Sequence, residues 1–265
     1  MNNRKRIHRH FSDIAEIYRN IRKTDNRPIF VIKRELQRLP VIHGADIGCG
    51  AGRYDRELFL NLGDRLFLFA IDENEKMLTY LRRYLSMFNI TQFKAIRAIG
   101  SSIPLYANSV NCVFTFNAVH HFNLPMFLKE SVRILKKDGY LFVYTRLHSQ
   151  NKRNIWGRYF PGFYEKEKRL YRLKEMESAI SQVSCLQLQS IEYFKFRRLS
   201  SLHFLKEQAR KRHYSTFCYY EKEEFKNALQ DFEKNIRENF PDPQKVIWID
   251  ENIMFLIRKI NLVES

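Results

Sequence analysis

Three glycines separated by single residues end the apolar run at 41–53, Val-Ile-His-Gly-Ala-Asp-Ile-Gly-Cys-Gly-Ala-Gly-Arg. A helical stretch follows at 52–62, then a second apolar run that finishes in Ala-Ile-Asp at 70–72. Strand, glycine turn, helix, strand and terminal acid form the opening of a doubly wound α/β fold. Gly48, Gly50 and Gly52 let the backbone turn sharply and approach a ligand that any Cβ would push away. Asp72 stands 22 residues after Gly50, where such folds present a carboxylate to ribose hydroxyls. The pattern predicts a nucleoside-bearing ligand.

The dinucleotide fingerprint requires glycine at its first, third and sixth positions. Counted from Gly48, the sixth position is Arg53, which argues against an NAD-dependent oxidoreductase. The pattern is instead acid-x-Gly-x-Gly-x-Gly, opened by Asp46. It resembles motif I of the class I S-adenosylmethionine-dependent methyltransferases. The resemblance continues through Ala-Ile-Asp-Glu-Asn-Glu-Lys-Met-Leu at 70–78 and Ser-Ile-Pro-Leu at 102–105. It extends over 109–122, which ends in Asn-Ala-Val-His-His-Phe, and over Val-Arg-Ile-Leu-Lys-Lys-Asp-Gly-Tyr-Leu-Phe-Val at 132–143. The His-His loop is similar to that of ubiquinone- and menaquinone-biosynthesis-like relatives.

This resemblance implies S-adenosylmethionine as cofactor. The glycine turn would receive its methionine carboxylate on backbone N–H groups, Asp46 its ammonium and Asp72 its ribose. Met77 either stacks on adenine or belongs to the core. In the family, the segment after the third strand supplies an acid to adenine; here that position is Ile99, so backbone groups near Gly100 are the substitute. Asn111 replaces an aspartate before the fourth strand, with a structural effect. Asn117 leaves that strand at the cofactor edge. Tyr18 and Arg22 belong to an N-terminal helix that closes over the cofactor in similar enzymes. His121 and His120 are the candidate bases for an acceptor that must lose a proton. Their alternative is packing beneath the loop.

Alternating strand and helix signals predict a doubly wound α/β fold with a parallel sheet. The resemblance implies its Rossmann-like form, seven-stranded and mostly parallel with an antiparallel last strand, to which an α-helical insertion, or lid, is added. Strands are expected near 42–47, 66–71, 92–97, 111–116, 140–146, 186–197 and 252–259, with a separate short strand at 246–249. Helices are expected near 52–62, 74–87, 125–136, 165–181, 201–212 and 221–237. Residues 11–24 carry Ile14, Ile17, Tyr18 and Ile21 on one helical face, with Ser12 or Asp13 as N-cap. Pro28 opens a second helix that runs to about Leu39. The resulting organisation is an N-terminal helical arm at 1–40, a methyltransferase domain at 41–199 and 246–265, and a helical insertion at 200–245.

The formal charge is +17, from 46 basic and 29 acidic residues. Such an excess favours polyanions, namely RNA (tRNA included), DNA or an acidic membrane surface, although many basic proteins bind none. Residues 151–212 hold fifteen Lys/Arg against six Asp/Glu, interleaved with aromatics. These aromatics either stack on bases or pack a lid. Arg153 and Arg158 are the first choices for anion contact. The strip 213–217, with Tyr214, is a second candidate acceptor pocket. The acceptor is thus a small molecule or RNA. A catalytically inactive nucleic-acid-binding or scaffold protein is the alternative. Residues 1–10 are basic without an apolar core, which predicts a solvated arm and no secretory signal, with an organelle transit peptide as the alternative. No apolar run reaches the ~18 residues of a membrane span. Four scattered cysteines predict a reduced, cytoplasmic setting with buried thiols and no zinc site.

Overall fold

The computed structural model describes residues 3–18 and 22–260. They divide into two compact units. The α/β unit holds residues 23–145, 173–193 and the chain from 253 on; the helical unit holds the chain up to 22, 146–172 and 194–252.

One seven-stranded sheet has the order β3-β2-β1-β4-β5-β7-β6. Its strands are β1 (Ile42–Ile47), β2 (Leu66–Asp72), β3 (Phe93–Arg97), β4 (Val110–Phe116), β5 (Leu135–Thr145), β6 (Leu186–Ser200) and β7 (Val246–Lys259). The first five run parallel. β7 pairs antiparallel with β5, placing Tyr140 opposite Arg258 and Thr145 opposite Ile253. β1 and β4 lie side by side, and the chain winds outward from them in both directions. That switch of direction opens a crevice at the carboxyl ends of the two strands. Both strands are buried along nearly their whole length, so neither keeps a regular apolar–polar alternation.

The α/β unit's helices are α2 (Arg27–Glu35), α3 (Arg53–Leu62), α4 (Glu75–Ser86), α5 (Leu124–Ile134) and α9 (Leu173–Ser181). Asn74 caps α4 by accepting from the backbone N–H of Lys76 and Met77 at 3.1 and 3.3 Å. Asn123 caps α5 by accepting from Met126 N–H at 3.2 Å. Cys49 and Cys112 are buried, as expected. Asn111 has the structural effect the sequence suggested: its Oδ1 accepts the N–H of His43 at 2.9 Å, tying β4 to β1.

The helical unit contains α1 (Asn3–Ile14), α6 (His148–Arg153), α7 (Ile155–Tyr159), α8 (Phe163–Lys166), α10 (Leu202–Arg210) and α11 (Lys222–Asn239). Trp156, Phe160, Phe163, Phe217, Tyr220 and Phe232 are buried together in its core. Trp156 stacks on Phe232 at 5.1 Å between centroids. Aromatics of this size each bury ~150–250 Å², so these six dominate the unit's hydrophobic energy. The aromatics at 156–163 pack inward and are not stacking platforms for bases. This unit is also larger than the 200–245 insertion read from sequence, because the 155–163 rings need the faces of α10 and α11 to be buried.

Other expectations are corrected. Residues 3–10 are helix, not a solvated arm, and His10 is buried. Ser12 and Asp13 lie inside α1 and cap nothing; Ser12 Oγ donates back to the His8 carbonyl at 3.2 Å. The helix ends at Ile14, and Ile21 lies outside the described residues. α2 stops at Glu35, short of Leu39. The helix expected over 165–181 breaks after Lys166, where Glu167 turns inward to accept from Thr216 Oγ1 and from Arg169. The two expected C-terminal strands are one, β7, since Arg146 binds Asp250, the Glu251 carbonyl and Asn252 and holds that acidic stretch extended. No helix among the described residues is long and apolar enough to cross a membrane.

Candidate active site

The glycine turn follows β1 at the crevice, and all three glycines have positive φ, 77° at Gly48, 57° at Gly50 and 79° at Gly52. At Gly48 the space is filled as well: an added Cβ would stand 2.5 Å from Ala118 Cβ and 3.0 Å from Phe122 Cζ. Gly48 N–H donates to the Ile71 carbonyl at 2.8 Å, fastening the turn to β2. Asp72, at the end of β2, accepts from Gly50 N–H at 2.9 Å and from Asn74 N–H at 2.8 Å. One carboxylate therefore sets both the glycine turn and the start of α4. Gly100 comes to the same edge, where an added Cβ would lie 3.3 Å from Ile47 and 3.4 Å from Phe122. Ile99 beside it is exposed and bridges Ser102.

Beneath the turn lies a feature the sequence reading missed. Asp46, 1% exposed, faces Asp55, which is fully buried in the first turn of α3. The two carboxyls are close enough for one proton to bridge them. Without it, Asp46 Oδ1 and both Asp55 oxygens have no hydrogen-bond partner. Burial, with Asp55 and Asp72 nearby, pushes the Asp46 carboxyl well above the ordinary carboxylate range. Burial likewise raises Asp55 to about 6. Two buried acids with orphaned oxygens require a shared proton or an external cation.

That requirement has a measurable sign. Between pH ~4 and ~6 the unfolded Asp55 ionises while the folded one keeps its proton, so stability falls as pH rises through this window. In Asp55→Asn the amide donates to Asp46 in place of that proton. The variant is expected to exceed wild type in stability by on the order of 2 kcal/mol at pH 7.5, with the gap at least halved at pH 4.5. Denaturant titrations at the two pH values check this; an equal gap at both would remove the repulsion.

The structure places the remaining predicted residues as follows. Asn117 follows β4 with φ 55°, its N–H donating to the Tyr144 carbonyl at 2.7 Å. This left-handed step starts the turn Val119–His121, which follows directly on Ala118 at the glycine loop. His120 and His121 are half-buried there, rings 4.2 Å apart. Met77 is 2% exposed and packed in the core side of α4.

In the helical unit, the Arg22 guanidinium lies over the Tyr214 ring at 4.1 Å and over Tyr18 at 5.8 Å. Arg146 donates to Tyr214 Oη at 3.2 Å. Tyr18, Arg22 and Tyr214 thus belong to one cluster. Arg153 is paired with Glu251, Nε to Oε2 at 2.8 Å, and Arg158 is exposed over Tyr159 at 5.4 Å. Most of the 213–217 strip is already engaged. His213 Nδ1 meets the Gln208 carbonyl, the Ser215 hydroxyl meets Arg169, and the Thr216 hydroxyl meets Glu167. As an open acceptor pocket, only Tyr214 of that strip is half-exposed.

A sequence profile of the methyltransferase domain family matches residues 45–143. Residues 45–143 are a methyltransferase domain. The matched stretch runs from β1 through β5 and contains the glycine turn, Asp72 and the His-His turn. No curated protein sequence matches the chain. Among solved structures, the YcgJ protein of Bacillus subtilis superposes with a TM-score of 0.64 at 13% identity, over 90% of this chain and 100% of its own. A putative methyltransferase of Bacillus halodurans gives 0.64 at 15%, over 89% and 100%. A putative methyltransferase from an antibiotic biosynthesis pathway of Anabaena variabilis gives 0.66 at 21%, over 89% and 98%. At such identities the likeness is one of fold. The matched domain is that of an enzyme, and the cofactor implied by its glycine turn and Asp72 is S-adenosylmethionine. The residues present fit that group: a cradle at Gly48 that a Cβ would fill, a carboxylate at Asp72, and orphaned acid oxygens suited to an ammonium.

Proposed function

We propose that the enzyme methylates an anionic acceptor, a small molecule or RNA, by in-line transfer. The observation that supports a cofactor-loaded crevice is the Asp46–Asp55 pair, since orphaned buried carboxyls at this edge call for a cation. In this reading Asp46 and Asp55 hold the methionine ammonium, the N–H groups of the glycine turn hold its carboxylate, and Asp72 accepts from the ribose hydroxyls. Backbone groups at Gly100 and the Asn117 turn border the adenosine. When bound, S-adenosylmethionine supplies a methyl group already activated on a sulfonium. The protein's part is then alignment and exclusion of water. His121, with His120 beside it, accepts the proton if the acceptor is an oxygen or nitrogen that must lose one.

The anionic character of the acceptor is supported by where the charge lies. The helical unit carries 26 Lys/Arg against 14 Asp/Glu, so most of the +17 resides there. Arg158, exposed, and Arg153, exposed beside Glu251, are the proposed anion contacts, with Tyr214 and the Arg22–Tyr18 cluster nearby in the same unit. The deciding experiment incubates the protein with methyl-labelled cofactor and a cell extract split into RNA, protein and metabolite fractions. Label in RNA or in acidic metabolites supports the proposal; label only in protein or neutral metabolites rejects it. Once an acceptor is in hand, Arg153→Ala with Arg158→Ala is expected to lower its kcat/KM by at least ~10-fold. The affinity for S-adenosylhomocysteine should stay unchanged in calorimetry. Equal loss of both, or of neither, removes the two arginines from acceptor binding.

A further inference from the structure

A second cavity lies wholly within the helical unit, between α1 and the segment that follows α10. It measures about 630 Å³, within the ~300–1,000 Å³ of small-ligand sites. Five basic residues and two acids line it. At its wall Arg6 is paired with Glu221 at 3.5 Å and Arg9 with Asp13 at 4.0 Å. Among the described residues no carboxylate pairs with Lys211 or Arg212. The cavity therefore keeps a positive surplus that its own acids do not cancel.

His10 supplies the second, independent observation. It is 6% exposed, it lines the cavity, and its Nε2 has no hydrogen-bond partner. An orphaned polar nitrogen this deeply buried costs about 1–3 kcal/mol unless something meets it. Arg212 adds a third. Its backbone is held at φ 49°, a left-handed conformation that bulky side chains avoid and that ligand clamps tolerate.

We propose that this cavity binds a small phosphate-bearing molecule, with Lys211 and Arg212 supplying charge and His10 Nε2–H a hydrogen bond. A phosphate monoester or diphosphate matches the surplus and accepts hydrogen bonds in several directions at once, as forked guanidinium donors require. Burial and the cations Arg22, Arg212 and Arg169 push the His10 imidazole down to about 4. At neutral pH it is uncharged and still able to donate one N–H. A nucleic-acid strand fits less well, because sequence-tolerant strand binding needs exposed aromatic faces along a groove. No Phe, Tyr or Trp is among the lining residues.

The test is direct binding, which needs neither acceptor nor methyl transfer, so its outcome is separate from that of the proposed methylation. The full chain is titrated by calorimetry with pyrophosphate, phenyl phosphate and a single-stranded RNA oligomer at fixed salt. Saturable binding of pyrophosphate or phenyl phosphate at one site is expected. Arg212→Gly should weaken it at least tenfold, since glycine adopts the left-handed backbone easily and only the guanidinium is lost. His10→Phe should weaken it comparably, His10→Gln less. Lys211→Ala, on an exposed residue, serves should Arg212→Gly not fold. Lys234→Ala, exposed on α11 and away from the cavity, should change nothing. Failure of both phosphates to saturate, affinity untouched by the cavity variants, or binding of the RNA oligomer alone would each overturn the proposal.

Discussion

Asp72→Ala is expected to weaken binding of S-adenosylhomocysteine by at least ~100-fold while the far-UV circular dichroism stays that of the parent. The size follows from what the carboxylate does. Two ribose hydroxyls donating to one charged group contribute roughly 1.5–3 kcal/mol each, and each 1.4 kcal/mol is tenfold in affinity. The same side chain also accepts from Gly50 and Asn74. Alanine therefore loosens the turn that should receive the methionine carboxylate. Ala70 and Ile71, just ahead of it in β2, are buried whatever stands at 72, so the fold survives. Asp72→Asn keeps one acceptor oxygen and should fall between the two. Calorimetry on all three proteins checks the order, and an unchanged affinity in the alanine variant would take Asp72 out of the ribose site.

Gly48→Val is expected to cost stability as well as cofactor binding. The position has φ 77°, which a β-branched residue adopts only with strain of ~1–3 kcal/mol. Its Cβ would meet Ala118 at 2.5 Å, and overpacking of this kind costs a further ~1–3 kcal/mol. A total near 3 kcal/mol corresponds to a melting temperature lower by roughly 6–12 °C. The displaced atoms belong to Ala118 and Phe122, on either side of the His-His turn, so that turn is pushed away from the glycine loop. Gly63→Val is the control. That glycine also has positive φ, 61°, but open space around it, so it shows the backbone strain without the clash. Equal melting temperatures for the two variants would discount the Ala118 contact.

Much of the α/β unit was legible because its signals are local. The glycine turn, the apolar strands and Asp72 report backbone needs that neighbouring residues alone impose. Asp55 was not legible. An acid in the first turn of a helix reads as a partner for the helix dipole, and nothing nearby in sequence shows that it faces Asp46 across the turn. The usable signal was its position three residues after Gly52, where the first turn of α3 points back at β1. The helical unit was harder still. The 151–164 aromatics allowed either base stacking or packing, and only the tertiary partners on α10 and α11 decide it. The break at Glu167 and the continuity of β7 likewise depend on Thr216 and Arg146, residues about 50 and 100 positions away.

If they hold the ligand's ammonium as proposed, the facing acids beneath the glycine turn also tie the stability of the molecule to its occupancy. Above pH ~6 the empty chain carries a buried Asp55 charge that a bound ammonium would offset. Occupancy then does more for folding in alkaline surroundings than in acidic ones.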